Sequence, residues 1–403
     1  MIERAWRKIR LAEAMARPDL RAVAAAALAG HPLCDHCLGR LFAQVDTGLA
    51  NAARGRTVRA AVGGPPPPPS CWLCHNLFGA VDAWAVRARA AMARWEFDTF
   101  AVTSHADPEI AQREAALWDE AGGNMAEPYK QAFNRLLGIA LSGDAGRQPD
   151  LGRPDVIVRA DHITGKVGVR ANPLFVRGRY RKLARGFPQC RWRAWPTSIQ
   201  QIVGDPLCRE AGGKDHVLHG CGREDTDVRC LGERPFAVEI LRPRRRRLDL
   251  AALAAEINRS GRVEVIALET CTRADVTSLK GMRPEKTYRA LARLAADVGE
   301  DSCRRLGDLV GIVRQRTPTR VLKRRPDIVR ERRILSIDWR QLGPREIEIV
   351  VRTQAGTYIK ELVSGDAGRT LPSVAEILGV PAECAELDVL AIHLDETPGD
   401  GAT

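Results

Sequence analysis

The spacing of hydrophobic positions changes partway along this chain. Up to Gly30 the sequence is alanine-rich and helix-prone, and from about Val81 to Leu141 apolar residues again recur at helical intervals. That helical stretch is interrupted by Phe97-Asp98-Thr99-Phe100-Ala101-Val102, whose β-favouring residues predict a strand, and Asp155-Val156-Ile157-Val158 predicts another. Beyond Asn172 the period falls to two. Phe236, Val238 and Ile240 alternate with Ala237 and Glu239, Val263 and Val265 flank Glu264, and Ile347, Ile349 and Val351 repeat the pattern. Successive strand side chains point to opposite faces, so this alternation predicts half-buried, largely antiparallel strands with one polar face. A helix is predicted over Leu248 to Asn258, where Leu250, Leu253 and Ile257 share the side that would cover the sheet. Lys286 to Asp297 also has helical spacing, with Leu291, Leu294 and Ala295 on one face.

A chain of 403 residues exceeds what one hydrophobic core usually serves, so more than one domain is expected, with a boundary near residue 172. The first part mixes helix and strand; the second reads as α+β, and no internal repeat is visible. No apolar run approaches the roughly 18 residues of a membrane span, and the N-terminus has no apolar h-region with a cleavage site; a cytoplasmic protein without membrane association is expected. The formal net charge of +12 is carried mostly by arginine, which binds phosphate in bidentate fashion, so nucleic acid is the leading partner class. A codon bias toward Ala, Gly and Arg would give the same composition, and charge alone does not decide.

Eleven cysteines in a reducing compartment point to metal ligands and buried thiols rather than disulfides. Four of them form two pairs, Cys34-Asp35-His36-Cys37 and Cys71-Trp72-Leu73-Cys74, separated by the stiff run Gly63-Gly64-Pro65-Pro66-Pro67-Pro68-Pro69. A two-residue spacer lets both sulfurs of a pair face one ion, so Cys34, Cys37, Cys71 and Cys74 are expected to hold one tetrahedral structural zinc. Four unrelated core thiols are the alternative. None of the eight histidines has a glutamate two residues on, which removes the zinc-deaminase pattern.

The segment His219-Gly220-Cys221-Gly222-Arg223-Glu224-Asp225-Thr226-Asp227-Val228-Arg229 crowds two glycines, three acids and two arginines into one polar loop, which by itself reads as a solvated turn. Two further segments change that reading: Lys286-Thr287-Tyr288-Arg289-Ala290 and Gly356-Thr357-Tyr358-Ile359-Lys360-Glu361-Leu362. Together the three resemble the motifs of pseudouridine synthases. The resemblance narrows to the Pus-ten family through Gly178-Arg179-Tyr180-Arg181-Lys182-Leu183, Gly222 to Gly232, Gln315 to Leu322 and Gly356 to Ser373. Small departures occur at Cys221 and Cys230.

The resemblance implies an α+β, multidomain protein. A pseudouridine synthase fold with a mostly antiparallel mixed sheet flanked by helices would occupy 172–403. An accessory RNA-binding domain would occupy 1–171, zinc-stapled over about 30–80 and an α/β THUMP-like module over 81–171. The implied activity is isomerisation of uridine to pseudouridine in the T-loop of tRNA, at tRNA positions 54 and 55, by a monomer with no organic cofactor. Asp225 would be the nucleophile or general base. Tyr288 would stack on the base and remove its carbon-bound proton, and Lys360, with Arg223 as a second candidate, would ion-pair with Asp225. Tyr358, Arg223, Arg179, Arg181 and Lys182 would bind substrate, the last three from a mobile loop near the site entrance. The family places its tyrosine on a strand, against the helical spacing of 286–297.

Two other readings are weighed against this. A non-catalytic zinc-containing RNA-binding protein leaves Asp225, Tyr288 and Lys360 unrelated. A THUMP-type tRNA methyltransferase needs a glycine-rich nucleotide loop, for which Gly220-Cys221-Gly222 is a poor match.

Overall fold

Separate hydrophobic cores divide the chain into two compact units, Met1–Asn172 and Pro173–Thr403, in a computed structural model that describes residues 9–122, 124–143 and 146–394. In the first unit a four-stranded sheet runs in the order β2-β1-β3-β4, built from β1 (Thr99–His105), β2 (Gln148–Pro149), β3 (Val156–Asp161) and β4 (Val167–Ala171). β1 pairs in parallel with β2 and β3, and β3 in antiparallel with β4. The helices Val81–Met92 and Tyr129–Ser142 pack on this sheet and on each other, burying Trp84, Phe133, Leu137 and Leu141 against Phe100, Val156 and Val158.

Beside them the short helix Asp35–Arg40 crosses Asn51–Ala61 at backbone contact distance. A Cβ on Gly39 would lie 1.8 Å from the Asn51 carbonyl oxygen, and one on Gly55 1.9 Å from that of Asp35. Only glycine permits that approach, which fixes the helix that carries Cys37. Among the described residues no helix is long and apolar enough to cross a membrane.

The second unit is built on a ten-stranded mixed sheet. Its strands are β5 (Leu174–Lys182), β6 (Asp215–Gly220), β7 (Arg229–Leu241), β8 (Val263–Cys271), β9 (Glu285–Leu294), β10 (Gly311–Arg316), β11 (Val329–Gly343), β12 (Glu346–Thr353), β13 (Thr370–Leu371) and β14 (Ala382–His393). The order is β13-β10-β11-β12-β9-β14-β7-β5-β8, with β6 on β7, and β14 with β7 is the one parallel pair. The alternation read from the sequence lies on β7, β8 and β12, where Phe236, Val238, Ile240, Val263, Val265, Ile347, Ile349 and Val351 are all buried. The helix Leu250–Asn258, capped by Asp249, turns Leu253 and Ile257 into the same core as Val238 and Val265.

Residues 285–294 form a strand, as the family resemblance implied and the helical spacing did not. Lys286, Ala290, Ala292 and Leu294 turn inward with period two between β12 and β14. Two of those inward positions are alanine, a strong helix former, which disguised the alternation; pairing on both edges outweighs a propensity of well under 1 kcal/mol per residue.

At the parallel junction, Asp388 on β14 is fully buried and accepts hydrogen bonds from Arg229 (2.7 and 2.9 Å), Arg185 (2.6 Å) and Arg289 (2.6 Å). Burial alone would raise its pKa, but the Arg229 hydrogen bond and the charges of Arg185 and Arg229 hold it below the ordinary carboxylate range. Replacing one partner of a buried charge cluster strands the others. Asp388→Asn is therefore expected to cost roughly 3 kcal/mol, the lower end for such a break because the arginines keep some solvent, measured by urea unfolding at neutral pH. A folded pKa below the unfolded one means that this stability is present above the ordinary carboxylate pKa and is lost as pH falls through the folded value. The wild type should thus converge on the variant's stability on acidification; a gap that persists unchanged into strong acid would contradict this.

Candidate active site

The acidic segment becomes a loop, Cys221 to Val228, between β6 and β7, and its main chain is held from beneath by buried side chains. Gly222 adopts φ +81°, and a Cβ there would meet the Arg234 guanidinium at 2.9 Å. Arg234 donates to the Cys221 carbonyl (2.7 Å) and ion-pairs with Glu224 (2.9 Å), whose carboxylate also accepts from the Tyr180 hydroxyl (2.9 Å). Gln189 donates to the Gly222 carbonyl (3.0 Å) and to Tyr180 (2.9 Å). Lys182, fully buried, donates to the carbonyls of Asp225 (3.1 Å) and Thr226 (2.9 Å). Burial pushes the Lys182 ammonium down to about 8. Arg234, Gln189, Lys182 and Tyr180 thus supply partners to the loop's carbonyls and to Glu224, which holds the loop in place.

Above this base the acids point the other way. Asp225, its side chain 44% exposed, receives the Arg320 guanidinium at 2.9 Å and the Lys360 ammonium at 3.6 Å. Lys360 lies closer to Asp227, at 2.7 Å. Partial burial would raise the Asp227 pKa, but the hydrogen bond and charge of Lys360 bring it below the usual value. Arg320 in turn spans to the buried Glu361 (2.7 Å), so one guanidinium bridges the acid loop and the segment carrying Lys360.

Lys360 occupies the first turn of the helix Ile359–Ser364, entered through Gly356 (φ +86°) and Tyr358. The Tyr358 backbone is clamped on both sides by the buried Gln315 amide (2.8 and 2.9 Å), and its hydroxyl accepts from Arg325 (3.1 Å). Tyr288 enters from β9, and burial pushes its phenol up to about 12. Asp225, Tyr288, Lys360, Tyr358, Arg223 and Arg320 all line one hollow of ≈ 410 Å³; Asp227 does not.

The substrate-binding expectations divide. Arg223 and Tyr358 line the hollow, whereas Arg179, Arg181 and Lys182 do not. All three lie on β5 rather than in a mobile loop. Strand alternation separates them: Arg179 and Arg181 point outward and pair with Glu233 and Glu264, while Lys182 points inward with Tyr180. Lys182 therefore donates to the acid loop from beneath, a placement that the period of two could have supplied. Arg320 lies within the Gln315 to Leu322 segment, but its pairing with Asp225 spans 95 positions and has no local signature. Arg223, the second candidate partner of Asp225, forms no ion pair with it; Arg320 occupies that place.

In the first unit the sulfurs of Cys34, Cys37, Cys71 and Cys74 all lie within 4.8 Å of one another, three of the residues are buried, and Cys34 and Cys74 approach to 3.7 Å. Four thiolates around an ion at about 2.3 Å would stand about 3.8 Å apart, so the cluster fits a metal ion.

Comparison with known proteins agrees over both units. The archaeal Pus10 THUMP domain matches residues 84–161, and the Pus10 C-terminal domain matches 175–393. The chain is similar to the protein named tRNA pseudouridine synthase Pus10 of Methanothrix thermoacetophila, with 38% identity across 93% of this chain and 94% of the relative. The protein of that name from Pyrococcus furiosus is 38% identical, across 92% and 97%, and that from Halorubrum lacusprofundi 36%, across 94% and 98%. On two matching domains and near full-length similarity, the chain belongs to the Pus10 family.

Proposed function

We propose that this chain is a tRNA pseudouridine synthase that isomerises uridine at positions 54 and 55 in the T-arm, acting as a cytoplasmic monomer. The observation that carries the reading is the single hollow that gathers Asp225, Tyr288 and Lys360 from three distant segments. The reaction breaks the bond from the ribose carbon to the base nitrogen, turns the uracil within the site, and rejoins it through a ring carbon. A proton leaves that carbon and the freed nitrogen takes one up, so no redox partner or group donor enters.

The first step suits a carboxylate that attacks the sugar carbon or removes the adjacent sugar proton. Asp225 supplies it, and the Arg320 guanidinium and Lys360 ammonium put positive charge beside the anion. Tyr288 presents an aromatic face on which the extruded base can stack. The stacking role rests on that face, since a phenol is neutral at physiological pH whether or not burial raises it. Arg223 and Tyr358 complete the lining as substrate contacts. In the accessory unit the metal is a structural zinc on Cys34, Cys37, Cys71 and Cys74, and the THUMP module holds a part of the tRNA away from the reacting base. A non-catalytic RNA-binding protein would have no use for this convergence, and no glycine-rich nucleotide loop favours a methyltransferase.

The test is to incubate the purified chain with an unmodified tRNA transcript and map pseudouridine by mass spectrometry. Conversion confined to the T-loop is expected, and its absence would overturn the reading. Because phosphate contacts release counterions, tRNA affinity should fall steeply and log-linearly with salt; a flat response would contradict a phosphate-binding surface.

A further inference from the structure

We propose that Trp192, together with Arg223 and Arg324, forms a stacking subsite for a nucleobase flanking the target uridine. This rests on the activity proposed above and extends it to a second nucleotide. A hollow of ≈ 390 Å³ is lined by Cys190, Arg191, Trp192, Arg223 and Arg324. Two of those residues, Arg223 and Arg324, also line the Asp225 hollow, so the two spaces share a cationic wall.

Trp192 is 47% exposed, so its ring offers open surface to a ligand. Its ring already carries the Arg324 guanidinium, 5.4 Å from the centroid, the geometry of a cation resting on a π face. Among the described residues neither Arg223 nor Arg324 takes part in an ion pair, whereas Arg320 across the hollow is committed to Asp225 and Glu361. Arg191, on the rim, is partly neutralised by Asp215 (3.3 Å). An aromatic platform beside two guanidinium groups free of ion pairs is the combination that binds single-stranded nucleic acid: the base stacks, and the phosphate meets the arginines.

The segment that carries the platform also touches the acid loop. Trp192 stands three residues from Gln189, whose buried amide donates to the Gly222 carbonyl of the acid loop. A uridine drawn out of its stack for Asp225 leaves its neighbour unstacked as well, and Trp192 replaces the lost partner. That contribution offsets part of the cost of extrusion. Stacking is tolerant of base identity, so the subsite accepts any nucleobase and selects for an unpaired one.

The experiment measures dissociation constants of wild type, Trp192→Ala and Trp192→Phe with three T-arm transcripts: intact, and abasic at the nucleotide immediately 5′ or 3′ of the target uridine. Trp192→Ala is expected to weaken binding of the intact transcript about 5- to 150-fold, the equivalent of one stacked base, and Trp192→Phe to restore most of it. One of the two abasic transcripts should bind wild type equally weakly and show no further loss with Trp192→Ala. The salt slope should stay unchanged in Trp192→Ala and fall by about one in Arg324→Gln.

Unaltered affinity in Trp192→Ala, or a full deficit retained on both abasic transcripts, would overturn the subsite. So would a Phe variant as weak as Ala, which would indicate a packing role. These are binding measurements, so they are separate from the conversion assay: if wild type makes no pseudouridine the activity is lost, whereas indifference to Trp192 in an active enzyme removes the subsite alone.

Discussion

Asp225→Asn is expected to lose pseudouridine formation by on the order of 10⁴-fold or more in single-turnover assays while binding tRNA within a few-fold of wild type, because it deletes the reacting group and little else. The loop's shape does not depend on that side chain. Its main-chain carbonyls at Cys221, Gly222, Asp225 and Thr226 are held by Arg234, Gln189 and Lys182, and the amide is isosteric with the acid. What disappears is the anion needed for either version of the first step. Asp227→Asn serves as the comparison. Asp227 is the more exposed acid, at 63%, and lies outside the hollow that contains Tyr288. Its loss should cost far less, through the freed Lys360. An active Asp225→Asn enzyme beside a silent Asp227→Asn enzyme would shift the catalytic role by two positions and refute the assignment.

The second large effect concerns the accessory unit. The purified chain should carry about one zinc, and Cys34→Ser with Cys71→Ser should abolish that content, read by elemental analysis, because each pair then keeps one thiolate. Metal affinity at such sites is largely folding free energy, about 10–16 kcal/mol in isolated zinc-finger peptides. Here Leu33, Leu38, Phe42, Val58 and Leu73 form an apolar core around the cluster, so part of the stability survives without the ion. The expected outcome is a lower-temperature unfolding transition for the first unit with the second unit's transition retained. Undiminished zinc in the double variant would exclude the four-thiolate site.

Much of this was legible in the chain itself because the physical signal is local. A two-residue spacer between cysteines is a statement about reach, and Cys34, Cys37, Cys71 and Cys74 do converge. Period-two runs at 236–240, 263–265 and 347–351 report burial on one face of a strand, and those residues are buried. Positive charge and the three short motifs pointed to RNA and to Asp225, Tyr288 and Lys360, though the motifs spoke through family resemblance rather than local chemistry.

Tertiary structure decided what depends on partners far away in sequence. The strand at 285–294 owes its state to β12 and β14, since its inward alanines carry no β preference of their own. Lys182 was expected in a mobile loop that binds substrate, yet β5 turns it beneath the acid loop, where it donates to two carbonyls. Lys360 reaches Asp227 more closely than Asp225, and Arg320 takes the nearer place beside the acid. Residue types and spacings record what a segment can do alone. Which cation neutralises which carboxylate is set by distances of a few ångströms between segments that only the folded sheet brings together.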